Sequence, residues 1–161
     1  LDQTTSNGNR VSSTSSASFE IAASQQDRFI SGLPTLHLTV RPGTCDGGQV
    51  FATMFDGETN LRIGHATMDV RYRDGGHQAK TVVPLVSYLM QMEFNPIDAI
   101  IPAGHSIKVE LTETGEDYLS SACAPIGMSV NLDSSSTISL PLLERDADAP
   151  EWFQVPQWWE E

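Results

Sequence analysis

The sequence predicts an all-β protein folded as an antiparallel β-sandwich. Apolar residues recur at every second position in several short segments, and clusters of Gly, Pro, Asn and Asp separate these segments. No segment shows the apolar period of a long amphipathic helix, and a parallel sheet would need such crossover helices. The chain has 161 residues, of which 39% are hydrophobic, so it is large enough to form one domain around one core.

Three strands are predicted in the first half of the chain. In residues 36–40, Leu, Leu and Val alternate with polar residues, which predicts a half-buried strand. Residues 50–55 are apolar at both parities, which predicts a central strand that is covered on both faces. Residues 61–73 predict one long strand. Its apolar parity shifts near Gly64, so a β-bulge is expected there.

The second half predicts three more strands. Residues 82–94 have no helix cap and carry Pro84 near their start, which favours a strand, although their Met and Leu content leaves a helix as the alternative. Residues 107–111 alternate cleanly between apolar and polar side chains. A closing strand over residues 138–142 is predicted after the turn-like residues 133–136.

The two ends of the chain differ in composition from the predicted strands. Residues 1–18 are rich in Ser and Thr and predict a linker, residues 19–144 form the predicted sandwich, and residues 145–161 form an acidic tail. The tail contains all three tryptophans of the chain. Its large aromatic residues are Trp152, Phe153, Trp158 and Trp159. They predict either a strap that packs on this domain or on a partner, or a platform for sugar rings.

The charge balance excludes two classes of partner. The net charge is −12, with 21 acidic residues against 9 basic ones. Such a surface repels nucleic-acid phosphates and anionic lipid headgroups, so neither nucleic acid nor a membrane is expected as a partner. Cys45 and Cys123 lie in segments that resemble loops, and they form either one disulfide or two free thiols. An extracellular or cell-surface location is expected, where a disulfide would persist.

The nucleophiles and bases of the sequence form no recognised catalytic motif. The chain has no Gly-x-Ser-x-Gly elbow of the kind that exposes the serine of an α/β-hydrolase. Gly104, His105 and Ser106 place a histidine beside a serine, but neighbouring residues on a strand point to opposite faces and cannot share a proton. No catalytic residue is therefore assigned.

Metal ligands are also not assigned. None of the four histidines has the spacing of a zinc site. The cluster of Glu113, Glu116 and Asp117 predicts either a structural calcium site or a solvated acidic surface, and the second interpretation is favoured. No cofactor is expected.

Gly104 and His105 are expected to have structural roles. Pro102 restrains the chain, and Gly104 can adopt a positive φ, so the chain can turn tightly into the strand of residues 107–111. His105 is expected to bond a backbone group of this turn through a ring nitrogen. Gly64 is assigned a structural role at the predicted bulge.

Four segments carry a resemblance to a known family, in the same order along the chain. They are residues 31–40 (SGLPTLHLTV), 62–73 (RIGHATMDVRYR), 101–111 (IPAGHSIKVEL) and 138–143 (ISLPLL). The segments resemble the "SGxPxLxLxV", "GxLRAxYR", "AGHRLRLxI" and "LxLPVV" strands in the C-terminal domain of X-Pro dipeptidyl-peptidases and cocaine-esterase-like (CocE/NonD) hydrolases. The resemblance covers about residues 17–144.

The resemblance implies a jelly roll of the galactose-binding-like type. In that family the domain is non-catalytic and packs on an α/β-hydrolase domain that supplies the catalytic Ser, Asp and His. Residues 114–121 depart from the aromatic, proline-rich pattern that often follows the third strand. The expected function is an accessory domain of a secreted hydrolase. The alternatives are a free-standing carbohydrate-binding module and a self-contained hydrolase, since fold does not settle function.

Overall fold

The computed structural model describes residues 3–4, 16–43, 46–113, 129–131 and 136–143. Strands make up most of the regular structure, and a 3₁₀ helix (Val70–Tyr72) follows the sixth of them. The strands are β1 (Gln3–Thr4), β2 (Ala17–Ile21), β3 (Arg28–Gly32), β4 (Thr35–Arg41), β5 (Gln49–Asp56), β6 (Arg62–Asp69), β7 (Tyr88–Glu93), β8 (Ile97–Ile101), β9 (Ile107–Thr112), β10 (Ser129–Asn131), β11 (Thr137–Ser139) and β12 (Leu142–Leu143).

These strands form three antiparallel sheets. In the first sheet, β7 pairs with one edge of β4, β10 and β11 share the other edge, and β1 pairs with β11. The second sheet has the order β2-β9-β5-β6, so β5 is an inner strand. The third sheet has the order β12-β3-β8. Most neighbouring strands are distant in sequence, so the sheets depend on long-range pairing.

The core lies between the sheets and is built by alternate side chains of the strands. In β4, Leu36, Leu38 and Val40 are fully buried, and the residues between them are only partly buried. The apolar residues of β9 follow the same alternation. Buried side chains from all three sheets belong to one hydrophobic cluster, which includes Ile30, Leu36, Met54, Met90, Ile101 and Val109. The predicted all-β antiparallel sandwich is confirmed.

The strand predicted over residues 61–73 is shorter than expected. Strand β6 ends at Asp69, whose carboxylate accepts a hydrogen bond from the Arg71 N–H at 2.8 Å and caps the 3₁₀ helix. The irregularity predicted near Gly64 is confirmed, because Met54 pairs with Gly64 whereas Phe55 pairs with Arg62. One additional residue on β6 therefore produces the bulge.

Two other predicted strands are also corrected. Within residues 82–94 only Tyr88–Glu93 is a strand, and the segment before it is irregular around Pro84. The closing strand over residues 138–142 is divided into β11 and β12, which belong to different sheets. Pro141 lies at the break, and its missing N–H cannot continue a ladder. Its carbonyl instead accepts from the Ser31 N–H at 3.0 Å.

Strands β1, β2, β3, β8 and β10 were not predicted. The first strand of the second sheet begins at Ala17, inside the segment expected to be a linker, and Gln3 and Thr4 of that segment pair with β11. Each of β3 and β8 contains two adjacent apolar residues, Phe29 and Ile30 in β3 and Ile100 and Ile101 in β8. Neither strand therefore alternates cleanly between apolar and polar residues. The third sheet was missed for this reason.

Candidate functional site

Asp56 and His105 form a contact between two connecting segments. Asp56 ends β5, and its Oδ2 atom lies 2.8 Å from Nδ1 of His105, which precedes β9. The other oxygen, Oδ1, accepts from the N–H groups of Glu58 at 2.9 Å and Thr59 at 3.0 Å. The hydrogen bond from His105, followed by that from Thr59, lowers the pKa of Asp56 from 3.8 to about 2. The carboxylate thus joins the β5–β6 turn to the entry of β9.

The predicted hydrogen-bond partner of the His105 ring, a backbone group of the preceding turn, is wrong. The ring nitrogen Nδ1 contacts a carboxylate, whereas the preceding turn is closed by main-chain groups. The His105 N–H donates to the Pro102 carbonyl at 3.1 Å, and the Gly104 N–H donates to the Ser24 carbonyl at 2.8 Å. Gly104 has a φ of +85°. A side chain also holds this turn, because the Ala103 N–H donates to Oδ1 of Asp27 at 2.8 Å.

Ser106, the sequence neighbour of His105, does not complete a catalytic triad with Asp56 and His105. In a catalytic triad the serine Oγ is hydrogen-bonded to the histidine that takes its proton. The Oγ atom of Ser106 is buried and has no hydrogen-bond partner, so it is not bonded to His105. The contact that the structure does show is the hydrogen bond between Asp56 and His105.

The part of the chain that the structure describes contains neither a candidate metal site nor a candidate membrane-spanning helix. Within it, no group of three or more His, Cys, Asp or Glu residues is placed to hold a metal ion. Of the acidic cluster considered for calcium, Glu116 and Asp117 lie outside the described residues. No helix in the described ranges is long and apolar enough to cross a bilayer.

Gly64 lies in β6 where this strand approaches the start of β8. A Cβ atom at this position would overlap Cδ1 of Ile97 and lie 2.9 Å from its Cγ1. Beside it, the His65 N–H donates to Oδ1 of Asn95 at 2.7 Å, and the Asn95 N–H donates to the His65 carbonyl at 3.0 Å. The missing side chain at Gly64 thus allows the β7–β8 connection to pack on β6.

Six residues predicted to be structural or contact residues lie outside the described residues: Cys45, Cys123, Trp152, Phe153, Trp158 and Trp159. The candidate contact surfaces that can be described therefore come from other side chains. Two groups of exposed apolar residues stand out.

The first group, the outer row, crosses the third sheet. Phe29 on β3 pairs with Ile100 on β8 and with Leu143 on β12, so the three residues lie side by side on one face. Ile100 and Leu143 are each 59% exposed. The buried face of the same sheet is marked by Ile30. The outer row is therefore an uncovered apolar strip.

The second group, the Pro84 patch, lies just before and at the start of β7. It consists of Val83, Leu85, Val86 and Leu89, which are all exposed, and Leu85 is 62% exposed. Pro84, within the same turn, is exposed as well. The neighbouring Val82 and Met90 are buried in the core. The patch is thus anchored at both ends.

Several hydrogen bonds hold the Pro84 patch in place. The Tyr88 hydroxyl accepts from the Val83 N–H at 2.7 Å, and the Arg73 guanidinium lies 4.4 Å from the centre of the Tyr88 ring. The Leu85 N–H donates to the Pro42 carbonyl at 2.8 Å, and the Leu85 carbonyl accepts from Nε of Arg41 at 2.7 Å. The exposed segment is therefore ordered by polar contacts, although its side chains face solvent.

Comparison with known proteins places this fold in a family. A family model described as the X-Pro dipeptidyl-peptidase C-terminal non-catalytic domain matches residues 2–136. The chain belongs to this family. As a member of the X-Pro dipeptidyl-peptidase C-terminal domains, it is a non-catalytic domain, as the sequence predicted. The match begins before residue 17, where the sequence resemblance starts. It ends at residue 136, whereas the resemblance continues to about residue 144. No curated protein matches the chain.

Solved structures share the fold of this C-terminal domain. A CocE/NonD family hydrolase from Staphylococcus aureus aligns with a TM-score of 0.69 and 13% identity, over 88% of this chain and 34% of its own. An alpha-amino acid ester hydrolase aligns with a TM-score of 0.64 and 15% identity, over 80% of this chain and 25% of its own.

An aminopeptidase from a marine sediment archaeon, Thaumarchaeota archaeon, aligns with a TM-score of 0.66 and 12% identity, over 81% of this chain and 26% of its own. At these identities the likeness establishes a shared fold. The chain spans about a third of the length of the Staphylococcus aureus structure and about a quarter of the length of the other two.

Sequence reasoning missed Asp56 and the Pro84 patch. Asp56 stands 49 positions before its partner His105, so no local spacing connects them. The patch had a signal, since Val82, Val83, Leu85 and Val86 surround a proline in one segment. The sequence predicts a strand over residues 82–94, and a strand would bury every second side chain. The structure instead has a turn here, which exposes Val83, Leu85 and Val86.

Proposed function

We propose that this chain is the accessory domain of a secreted serine hydrolase of the X-Pro dipeptidyl-peptidase or acyl-esterase type. In this proposal the domain packs on the α/β-hydrolase catalytic domain of the same protein and stabilises it by burying apolar surface. The observation that carries the proposal is the match of residues 2–136 to a C-terminal non-catalytic domain of such enzymes. Ser106 is not bonded to the Asp56–His105 pair, which is consistent with a chemistry that resides in another domain.

The exposed apolar residues support docking on another protein. Soluble domains that expose grouped apolar side chains generally use them as contact surfaces. Both the outer row and the Pro84 patch contain side chains that are about 60% exposed. Covering them would remove apolar area from water, which favours association by about 25 cal/mol per Å² before the entropy cost of docking.

Carbohydrate binding is supported less well by the described residues. A sugar platform needs exposed aromatic faces. Among the residues that the structure describes, Tyr72 is the one aromatic side chain in the exposed class, at 39%. The sugar-binding alternative therefore depends on the tail tryptophans, and retardation by a panel of polysaccharides in affinity electrophoresis would favour it.

The extracellular location is part of the same proposal. The net charge of −12 and the pair Cys45 and Cys123 support it. Thiol titration of the denatured, unreduced protein tests the compartment, since a disulfide leaves no reactive thiol. Two reactive thiols would argue against an oxidising environment.

The main experiment expresses the longest open reading frame that contains this chain, beside the 161-residue chain alone. We expect the longer protein to carry a Gly-x-Ser-x-Gly elbow, to react with a fluorophosphonate probe and to hydrolyse acyl esters or Xaa-Pro amides. The 161-residue chain should do neither. Turnover by the short chain, or a reading frame without a hydrolase domain, would overturn the proposal.

A further inference from the structure

Leu85 occupies a backbone conformation that leucine disfavours. Residues 83–86 form a turn in which the Val86 N–H donates to the Val83 carbonyl at 3.3 Å. Pro84 takes the second position and Leu85, with a φ of +66°, takes the third, which is the pattern of a type II turn. Glycine or asparagine is usual at the third position, because a larger side chain clashes with the backbone there.

The strained leucine gains little burial in this domain. Its side chain is 62% exposed, whereas its N–H and carbonyl are both held by the bonds to Pro42 and Arg41. The backbone is thus fixed and the apolar side chain points to solvent. Unfavourable backbone conformations that a structure maintains are concentrated at contact and functional sites. A glycine would make the same turn without strain, so the leucine side chain itself needs an explanation.

Two arginines, Arg41 and Arg73, lie beside the same patch. Of the nine Lys and Arg residues, Arg10 and Arg145 lie outside the described residues. Four of the other seven lie within residues 70–88 or bond to them. They are Arg41, Arg71, Arg73 and Lys80.

Two of these cations are not neutralised by a carboxylate in the described part of the chain. Arg71 pairs with Asp69, and Lys80 pairs with Asp74. Arg41 instead bonds the Leu85 carbonyl, and Arg73 bonds the carbonyls of Val70 and Thr81 beside the Tyr88 ring. Carbonyl bonds leave the charge of a guanidinium available to a partner.

The outer row has the opposite electrostatic setting. Asp98 is exposed on β8 and shares the outer face of the third sheet with Ile100, two positions along the strand. In a chain with a net charge of −12, the Pro84 patch thus combines an apolar projection with two arginines that pair with no carboxylate among the described residues. Complementary charge at the edge of an interface sets orientation and partner choice.

We propose that the Pro84 patch is the part of this domain that inserts into the catalytic domain. Leu85 and Leu89 enter an apolar hollow, and carboxylates at its edge pair with Arg41 and Arg73. The inference rests on the proposed function, since it names the contact surface of the docking proposed there. The strain at Leu85 is retained because the side chain is buried in the two-domain protein.

Hydroxyl-radical footprinting locates the contact. The modification rates of exposed side chains are compared between the 161-residue chain and the protein of the longest open reading frame that contains it. We expect Leu85 and Leu89 to react several-fold more slowly in the longer protein. Ile100 and Leu143 of the outer row, and Leu61 at 69% exposure, should keep their rates.

A Leu85→Gly variant separates strain from contact. In the 161-residue chain it removes the disfavoured backbone conformation, so the melting temperature should stay the same or rise. In the longer protein it removes the inserted side chain, so the modification rate of Leu89 should rise several-fold toward its value in the isolated chain. Ile100→Ser is the matched control, because it removes an apolar side chain of similar exposure from the outer row and should leave Leu89 protected.

The possible results distinguish this inference from the proposed function. Protection of Leu85 and Leu89 in the longer protein, with the protection of Leu89 lost in Leu85→Gly, supports the inference. Protection of Ile100 and Leu143 with Leu85 still reactive overturns it, while leaving the docking of a catalytic domain intact. Unchanged rates at every site, or a reading frame without a catalytic domain, overturn both.

Discussion

Single residues hold the connections of this domain, and the Asp56 carboxylate joins three groups. Its two oxygens bond the Glu58 and Thr59 N–H groups and the His105 ring. The carboxylate is buried, so losing a partner cannot be fully compensated by water. Gly104 contributes differently, through a backbone conformation that other residues resist.

We expect Asp56→Asn to destabilise the fold by about 1 to 2 kcal/mol at pH 7, because the charged hydrogen bond to His105 is lost while the amide oxygen still caps the turn. The pKa of Asp56 is about 2 in the folded protein, below its ordinary 3.8. Because the pKa of Asp56 is lower in the folded protein than in the unfolded chain, the ionised carboxylate stabilises the fold at pH values above 3.8. This stabilisation is lost as the pH falls from 3.8 toward 2. Urea unfolding of both proteins between pH 7 and 2 measures the difference.

Asp98→Asn on exposed β8 is the control for this comparison, and its stability should differ little from that of the parent at every pH. If the difference between the parent and Asp56→Asn were constant down to pH 2, the carboxylate would not be the source of the effect.

Gly104→Ala should destabilise the fold by about 1 to 2 kcal/mol, because its φ of +85° places alanine in the left-handed region. A Cβ atom there would meet no heavy atom within 4 Å, so packing does not contribute. Gly76→Ala is the matched control. Its Cβ position is equally open and its φ is not in the left-handed region, so it should be neutral or slightly stabilising. Equal melting temperatures for the two variants would contradict the assigned role of Gly104.

At the scale of elements, the third sheet is connected to the second through close packing rather than shared strands. The bulge on β6 places Gly64 against Ile97, the first residue of β8. The main-chain and side-chain bonds between His65 and Asn95 join the same two segments. An added methyl group at Gly64 would therefore press on a buried side chain that belongs to another sheet.

We expect Gly64→Ala to cost about 1 to 3 kcal/mol through overpacking. Ile97→Val alone should cost about 0.5 to 1.5 kcal/mol, because it leaves a small cavity. The double variant removes the atom that the new methyl group would overlap, so it should be more stable than the sum of the single changes predicts. Denaturant unfolding of all four proteins completes the cycle, and strictly additive effects would show that the two residues do not meet.

At the scale of the whole molecule, an excess of negative charge opposes folding. The net charge is −12 and the isoelectric point is about 4.5. Described ion pairs such as Arg71–Asp69 neutralise only a few of the 21 acidic residues. Self-repulsion among the remaining charges is reduced by salt.

The melting temperature at pH 8 should therefore rise as salt increases from about 0.02 M to about 0.5 M. A gain of about 1 kcal/mol corresponds to about 3 °C for a chain of this size. NaCl and KCl should act equally, and the rise should shrink near pH 4.5, where the net charge approaches zero. A stabilisation that only calcium produces would instead indicate a specific cation site.

The sequence by itself determined the fold class, the two cleanly alternating strands at residues 36–40 and 107–111, and the bulge at Gly64. It also carried the family resemblance. These features depend on residues that are close in sequence, because the pleat of a strand alternates its side chains locally.

Only the tertiary structure decided where the connections meet and which apolar residues remain exposed. The contact of Asp56 with His105 and the third sheet both join segments that are distant in sequence. Residues 138–143 read as one strand, yet Pro141 divides them between two sheets. The exposure of Leu85 follows from hydrogen bonds to Pro42 and Arg41, more than forty positions earlier. Local patterns cannot specify such contacts, because burial depends on which distant segments pack together.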